Sequence, residues 1–185
     1  RPFQIWRYRV GSCAGEGTLV YHETDDAFNI TIQRTRSGAY LLMTLASATT
    51  SEVRYLAADR LEGDFQVIEP RFHWREYYAE HHGEHFWIRT NDQAENFKLV
   101  KAPVSAPSKE NWQEVIAHRP DVLLEDFEPF QERLVVFERQ AGLKQIRLMA
   151  PDGVSQARTV SFPEPVYTFS IGDNYDFAAT AISIS

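Results

Sequence analysis

The stretch FNITIQRTRSGAYLLMTLASATTSEVRYLAADRLEGDFQVIEP, residues 28–70, decides the fold class of this chain. It contains four short segments rich in β-branched and aromatic residues, at 28–34, 40–47, 52–58 and 65–70. Turn-forming residues separate these segments, with Gly38 in the first turn and Gly63 in the last. Such a pattern predicts four antiparallel strands joined by hairpin turns.

The same order of four segments recurs twice more along the chain. Residues 71–118 contain YYAEHH, HFWIRT, NFKLVKAP and WQEVI, and residues 119–163 contain VLLEDFEPF, RLVVFERQ, LKQIRLMA and ARTVSF. The repeat is about 45 to 50 residues long, which is typical of β-propeller blades and longer than leucine-rich or helical repeats. Two further strands are predicted before the first unit, IWRYRV and TLVYHE, and two after the third, VYTFSI and FAATAISIS.

These repeats predict an all-β fold, a partial β-propeller made of four-stranded antiparallel blades. The three full blades are expected at residues 28–70, 71–118 and 119–163. Residues 1–27 are expected to form the last two strands of another blade, and residues 164–185 the first two strands of a further one. A four-stranded blade cannot cover both of its faces alone, so neighbouring blades must cover them. A β-sandwich with a similar number of strands is the alternative that the spacing leaves open.

Composition and charge exclude several classes of function. The formal net charge of −7 and the lack of a basic cluster argue against nucleic acid as a partner. No apolar run approaches the roughly 20 residues that a membrane-spanning helix needs. The single cysteine, Cys13, cannot form a disulfide within the chain, which favours a reducing compartment such as the cytoplasm.

Two short motifs resemble catalytic or metal sites, and both are better explained as turns. GSCAG at residues 11–15 has the spacing of a nucleophile elbow around Cys13, but a strand is predicted after it where an elbow needs a helix. HHGEH at residues 81–85 has the order of a metallopeptidase motif, but Gly83 interrupts it between two predicted strands. On a hairpin, His81 and His85 could still approach each other, although solvated turn histidines are the simpler explanation. We therefore predict no catalytic residue, no metal site and no cofactor in this chain.

Several segments, taken together, resemble one known family of peptidases. They are RPFQIWRYRVG, LVYHETDDAF, LASATTSEVRYL, NFKLVKAPV, WQEVIAHR and LEDFEPFQERLVVFERQAGLKQIR. Their sequences are similar to those of the propeller in the oligopeptidase B branch, also called protease II, of the prolyl oligopeptidase family. The resemblance is distributed over all three repeats and covers nearly the whole chain.

The resemblance implies that two domains have separate roles. A seven-bladed propeller would cap an α/β-hydrolase domain that carries a Ser, Asp and His triad outside this chain. The family cleaves short peptides after Arg or Lys, and the propeller restricts entry to the buried active site. Both termini are then expected to lie inside blades, and the isolated chain is expected to self-associate through its uncovered faces. An independent protein- or peptide-binding module is the alternative function, and a hydrolase that uses Cys13 is a weaker third.

Acidic residues near the start of two predicted inner strands are the candidate site. They are Asp25, Asp26, Glu125, Asp126 and Glu128. Carboxylates on strands closest to the propeller axis would face the tunnel and attract cationic peptides, in keeping with the substrates that the resemblance implies. The same residues could instead be turn caps, β-bulge residues or ordinary solvated charges.

Overall fold

The structure is a computed structural model that describes residues 3–11, 13, 15–162, 169, 172, 174 and 176–184. Strands form where β-branched and aromatic residues alternate with polar ones, and glycines with positive φ, such as Gly38 and Gly83, close the tight turns between them. The strands are β1 Gln4–Arg7, β2 Thr18–His22, β3 Asn29–Arg34, β4 Tyr40–Ala46, β5 Ser51–Ala57, β6 Gln66–Val67, β7 Tyr77–His82, β8 His85–Thr90, β9 Lys98–Pro103, β10 Gln113–Ile116, β11 Val122–Pro129, β12 Leu134–Gln140, β13 Leu143–Met149 and β14 Arg158–Thr159.

The strands form one two-stranded and three four-stranded antiparallel sheets within the described part of the chain. β1 pairs with β2, and the larger sheets have the orders β3-β4-β5-β6, β7-β8-β9-β10 and β11-β12-β13-β14. The helical content of this part is a short 3-10 turn at Lys109–Asn111, and no helix in it is long and apolar enough to cross a membrane. The all-β prediction of a partial propeller with four-stranded blades is therefore confirmed.

Apolar clusters between successive sheets hold the arc together. The cluster between the β3–β6 and β7–β10 sheets contains Leu42, Val53, Tyr77 and Phe86, all fully buried. Similar clusters join β1–β2 to β3–β6 and β7–β10 to β11–β14. Each sheet thus buries its faces against its neighbours, as propeller blades do, at about 25 cal/mol for each Å² of apolar surface removed from water.

The C-terminal segment differs from the prediction of two strands. The predicted strand VYTFSI lies outside the described residues except for Phe169, which packs against the last sheet. Within the predicted strand at 177–185, the described residues 177–181 are mostly turns and bends and Ile184 is a single β-bridge residue, and Ala179 and Ile182 contact the same cluster. The Gly172 amide donates to the Ser183 carbonyl at 2.9 Å, and Asn174 Oδ1 accepts a hydrogen bond from the Ser183 amide at 2.7 Å.

The arc has two opposite ends, defined by the turns at either end of the inner strands, and the candidate sites lie at these ends. β3, β7 and β11 form the same edge of their sheets, and β7 and β11 contact each other, so these are the inner strands. All three run in the same direction from one end of the arc to the other. The end where β3 and β11 begin also holds the β4–β5 turn and the β6–β7 connection. The opposite end holds the β3–β4 turn.

Candidate functional site

A cleft of about 530 Å³ lies between the inner strands, at the end that holds the β3–β4 turn. Its walls come from segments far apart in sequence: residues 33–36 and Gly38, Glu80 on β7, residues 126–128 on β11, and Asn174. Three carboxylates and two arginines line it. We call the group formed by Arg36, Glu80, Asp126 and Glu128 the acidic cleft.

Arg36 in the β3–β4 turn connects the walls of the acidic cleft. Its guanidinium lies 3.0 Å from the Glu128 carboxylate and 4.6 Å from the ring centroid of Phe130, and it also donates a hydrogen bond to the Asn174 carbonyl. Its backbone amide donates to Glu80 Oε2 at 3.0 Å. One turn residue therefore contacts the second and third four-stranded sheets and the C-terminal segment.

Glu80 is the most strongly perturbed carboxyl group of the cleft. It points inward from β7 and accepts hydrogen bonds from the backbone amides of Arg36, at 3.0 Å, and His81, at 3.2 Å. Burial raises the pKa of Glu80 to about 7, although these amides and the Arg36 charge oppose the rise. Glu80 therefore changes its charge near neutral pH.

Asp126 and Glu128 lie two positions apart on β11 and so face the cleft from the same side of the strand. Loss of surrounding water raises the pKa of both carboxyl groups, and the Arg36 charge lowers both only in part. Asp126 is an exposed residue that lines the concave wall of the cleft. Its Oδ1 accepts a hydrogen bond from the Phe127 amide at 2.8 Å. Perturbed carboxyl groups in a cleft are typical of a binding site.

Glu125 lies at a β-bulge and does not line the cleft. The register of β11 against β12 shifts between Leu124 and Asp126, which makes Glu125 the extra residue. Its carboxylate pairs with Arg139 on β12 at 2.6 Å. Glu125 thus has the bulge role that the sequence left open as an alternative.

Asp25 and Asp26 lie at the other end of the inner strands, in the exposed turn before β3. The Ala27 amide donates a hydrogen bond to Asp25 Oδ1 at 2.9 Å, so Asp25 caps this turn. Asp26 lines a separate recess of about 440 Å³ with Phe3 and His22. The structure therefore brings together Asp126 and Glu128 alone among the five predicted acidic residues.

Ion pairs dominate the end of the arc that holds Asp25 and Asp26. Arg71 lies 2.7 Å from Glu23 and 3.5 Å from Glu52, and its guanidinium is 4.0 Å from the ring centroid of Phe28. Burial alone would raise the pKa of Glu23, but the hydrogen bonds from Arg71 and the Asp25 amide hold it below its ordinary value. We call the group formed by Glu23, Glu52 and Arg71 the ion-paired end.

The sequence did not single out Arg36 or Glu80. Both become part of a site only because the β3–β4 turn and β7 meet, although these residues are 44 positions apart. One signal was available in the YYAEHH segment. A carboxylate in a strand of a blade that neighbouring blades cover on both faces, as predicted for the YYAEHH segment, requires partners from elsewhere in the fold.

The two motifs that resembled catalytic sites are turns in the structure. Cys13 is exposed in the β1–β2 connection, where its amide donates to Glu16 Oε2 at 3.0 Å, and strand β2 follows it. An elbow requires a helix at that point.

The HHGEH segment is the β7–β8 hairpin. His82 pairs directly with His85, while His81 pairs with Phe86, so His81 and His85 point to opposite faces of the sheet. The idea that these two could approach each other is therefore wrong. His81 is also not a solvated turn residue, because it is buried and shares a 2.8 Å hydrogen bond with Ser37. Across the described ranges, no three His, Cys, Asp or Glu side chains are grouped to hold a metal ion.

Comparison with known proteins identifies the family. Residues 2–185 match the family model for the prolyl oligopeptidase N-terminal β-propeller domain. This chain belongs to the prolyl oligopeptidase family. It is 38% identical over 166 residues to dipeptidyl aminopeptidase BI of Pseudoxanthomonas mexicana, covering 89% of this chain and 22% of that protein. It is 31% identical over 172 residues to protease 2 of Moraxella lacunata, covering 92% of this chain and 24% of that protein.

Solved structures of prolyl oligopeptidase family members have the same fold. Oligopeptidase B from Leishmania major matches with a TM-score of 0.82 and 29% identity, over 91% of this chain and 25% of that chain. The closed form of oligopeptidase B from Trypanosoma brucei, with covalently bound antipain, matches with a TM-score of 0.89 over 98% of this chain and 27% of that chain. Its sequence identity is 24%, so this match shows the fold alone. The resemblance to the oligopeptidase B branch is confirmed.

The chain spans about a quarter of the length of these relatives. In the solved neighbours, the propeller is joined to a catalytic hydrolase domain within one chain. The chain is therefore a propeller portion of a prolyl oligopeptidase family protein.

Proposed function

We propose that this chain is the non-catalytic propeller portion of a serine oligopeptidase that cleaves short peptides after Arg or Lys. In this proposal, the propeller limits which substrates reach an active site on a separate α/β-hydrolase domain of the same protein. The propeller-family match over residues 2–185 carries the proposal. The relatives named protease 2 and oligopeptidase B support the reaction class.

The acidic cleft supports a preference for basic peptides. It faces the inner side of the arc and offers three carboxylates against two arginines, and Arg36 pairs with only one of these carboxylates, Glu128, at 3.0 Å. An incompletely balanced negative surface in a concave site attracts cationic ligands and raises their local concentration. The guanidinium or ammonium group of a substrate can therefore compete with Arg36 for Glu128.

An aminopeptidase that releases dipeptides is a second candidate. The observation that supports it is the 38% identity to dipeptidyl aminopeptidase BI. An aminopeptidase must recognise the substrate's free α-ammonium group, and carboxylates are the side chains that pair with it. The acidic cleft is compatible with either activity.

Peptide assays on the full-length protein separate these activities. We expect hydrolysis of a short N-terminally blocked peptide after Arg, and no cleavage of the same sequence inside a folded protein. Cleavage restricted to dipeptides with a free amino group would support the aminopeptidase. A full-length protein without a hydrolase nucleophile and without peptide hydrolysis would contradict both, and an independent binding module would replace them.

We also propose that the protein acts in the cytoplasm, since its single exposed cysteine suits a reducing compartment.

The isolated 185-residue chain is proposed to self-associate. In the first sheet, β1–β2, the apolar side chains of Trp6 and Leu19 are 47% and 42% exposed. Light scattering at tens of micromolar protein should give a mass of at least twice the 21.3 kDa monomer. A monomeric mass would contradict this proposal.

A further inference from the structure

A β-bulge decides which way Asp126 points. Leu124 and Phe127 lie three positions apart on β11, yet both pack into the apolar cluster between the β7–β10 and β11–β14 sheets. Side chains alternate in a regular strand, so Leu124 and Asp126 would share one face and Asp126 would enter that cluster. The extra residue at the bulge, Glu125, reverses the alternation and turns Asp126 to the acidic cleft.

The neighbouring sheet holds this bulge through the backbone of Leu124. The Leu124 amide donates to the Asn96 carbonyl at 3.0 Å, and the Leu124 carbonyl accepts a hydrogen bond from Arg89 Nη1 at 3.1 Å. Arg89 lies on β8 and Asn96 lies between β8 and β9, so both partners belong to the β7–β10 sheet. The residue that precedes the bulge is therefore fixed to another blade by both of its backbone polar groups.

Two aromatic rings fix the guanidinium of Arg89. It lies 4.8 Å from the ring centroid of Tyr78 and 4.3 Å from that of Phe97. Phe97 has a positive φ of 61°, a conformation that is unfavourable for an aromatic residue. Backbone strain of this kind persists only where the surrounding contacts enforce it, and here the strained residue supplies one of the two rings around Arg89.

The charge of Arg89 acts on Asp126 from behind the wall of the cleft. Asp126 is one of the residues that line the cleft, and Arg89 is not. Burial lowers the pKa of Arg89, and the negative charge of Asp126 opposes this fall. Burial raises the pKa of Asp126, and the Phe127 amide and the charge of Arg89 oppose this rise. Arg89 therefore favours the ionised form of Asp126 while its own guanidinium stays between the two rings.

We infer that Arg89 is a positioning residue for peptide recognition, because it anchors the bulge of β11 and so holds Asp126 in the acidic cleft for a cationic group of the peptide. This inference rests on the proposed function. A positive charge near the cleft would by itself repel positive peptides. Removal of Arg89 should therefore weaken peptide binding if Arg89 positions Asp126, and strengthen it if only its charge matters.

Kinetics of the full-length protein at low salt test this sign. Arg89→Met removes the anchor and the charge, and we expect KM for blocked Arg-containing peptides to rise about threefold with kcat unchanged, because the cleft binds peptides and does not react with them. Arg89→Lys retains a charge and a hydrogen-bond donor and should bring KM back toward the parent value. A lower or unchanged KM in Arg89→Met, or a fall in kcat alone, would overturn the inference.

Asp126→Asn shows whether Arg89 acts through Asp126. In that background, Arg89→Met should change KM by less than about 1.5-fold, because the carboxylate that Arg89 positions is already absent. Arg54→Met is the matched control, since it removes an arginine that also stacks on a ring, 4.6 Å from the Tyr21 centroid, and that does not line the cleft. It should leave KM unchanged even where it lowers thermal stability. An equal rise in KM without the Asp126 carboxylate, or in Arg54→Met, would contradict a positioning role.

Hydrogen–deuterium exchange gives a readout that does not depend on turnover. We expect Arg89→Met to speed the exchange of amides in β11, Val122–Pro129, severalfold, because the bulge loses a contact with the neighbouring blade. Arg54→Met should leave the exchange of this segment unchanged. If Arg89→Met does not fold, Arg89→Gln is the milder variant, since it removes the charge and retains a donor, and KM and exchange should change in the same directions. Unchanged exchange in β11 would reject the anchor.

Failure of this inference can be distinguished from failure of the proposed function. Hydrolysis of Arg-containing peptides by the parent, with KM unchanged in Arg89→Met, rejects the role of Arg89 and retains the activity. Absence of hydrolysis in the parent rejects the proposed activity and, with it, a role of Arg89 in peptide recognition. Faster exchange in β11 would then still identify Arg89 as the anchor of the bulge.

Discussion

The two ends of the propeller arc both concentrate carboxylates, but they compensate them differently. At the ion-paired end, Arg71 contacts Glu23 and Glu52, and the pKa of Glu23 is lowered. In the acidic cleft, the pKa values of Glu80, Asp126 and Glu128 are all raised. The first arrangement stabilises ionised carboxylates and the fold. The second stabilises the ionised forms of its carboxylates only in part, so a cation bound there would pair with groups that lack a full counter-charge.

Removal of the cation from the ion-paired end should have the largest effect. Arg71→Met leaves Glu23, which is 5% exposed, without its arginine, while Glu52 keeps its 2.7 Å ion pair with Arg54. We expect it to lower the free energy of unfolding by about 3 kcal/mol, because uncompensated buried charges are costly. Thermal or urea unfolding measures this. Arg9→Met, at an 85% exposed side chain that pairs with Glu62 at 3.5 Å, should cost less than about 0.5 kcal/mol.

The pH dependence of stability should have opposite signs at the two ends. Because the folded pKa of Glu80 is raised from 4.5 to about 7, folding favours its protonated form, and stability falls as pH rises between these values. Between pH 5 and pH 8, the parent protein should lose about 2 kcal/mol of its free energy of unfolding through Glu80. We expect Glu80→Gln to abolish this loss.

Glu23 provides the matched comparison for this pH effect. Its lowered pKa contributes stability that is present above its ordinary pKa of 4.5 and is lost as pH falls through the folded pKa. Glu23→Gln should therefore be most destabilising at neutral pH. Unfolding curves for both variants and the parent, measured from about pH 3 to about pH 8, would contradict the comparison if the two pH trends had the same sign.

The kinetic difference between the two ends should be smaller. Asp126→Asn with Glu128→Gln removes two charges from the acidic cleft, and we expect kcat/KM for Arg-containing peptides to fall roughly fivefold at low salt. The loss should shrink at high salt, where screening weakens the attraction. Asp25→Asn with Asp26→Asn changes the net charge equally at an exposed turn and should lower kcat/KM by less than about twofold. Equal losses in both double variants, or a loss independent of salt, would reject a specific role for the cleft.

Strands whose partners are close in sequence could be predicted well. The hairpin predicted at 77–82 and 85–90 is β7 Tyr77–His82 and β8 His85–Thr90. The fourth strand of the first full sheet is shorter than predicted, since the segment 65–70 contains only β6 Gln66–Val67. Turn signals and alternation are local, so they locate hairpins but not the extent of pairing at an edge.

The candidate site was harder to predict because its surroundings are not local. Asp25 and Asp126 look alike in the sequence, because each is an acidic residue near the start of a predicted inner strand. The bulge at Glu125 and the approach of Arg36 from the β3–β4 turn place Asp126 and Glu128 in a shared cleft, while Asp25 caps a turn. These differences depend on contacts between blades, which no single segment encodes.

Covalent labelling of the active site in the full-length protein tests the central claim most directly. A fluorophosphonate probe reacts with activated serines, and the labelled residue can be located by peptide mass spectrometry. The account predicts one labelled serine outside residues 1–185, with hydrolysis of Arg-containing peptides lost in proportion to labelling. Labelling within residues 1–185, or hydrolysis that persists after complete labelling, would contradict the proposal that this propeller portion is the non-catalytic part of a serine oligopeptidase.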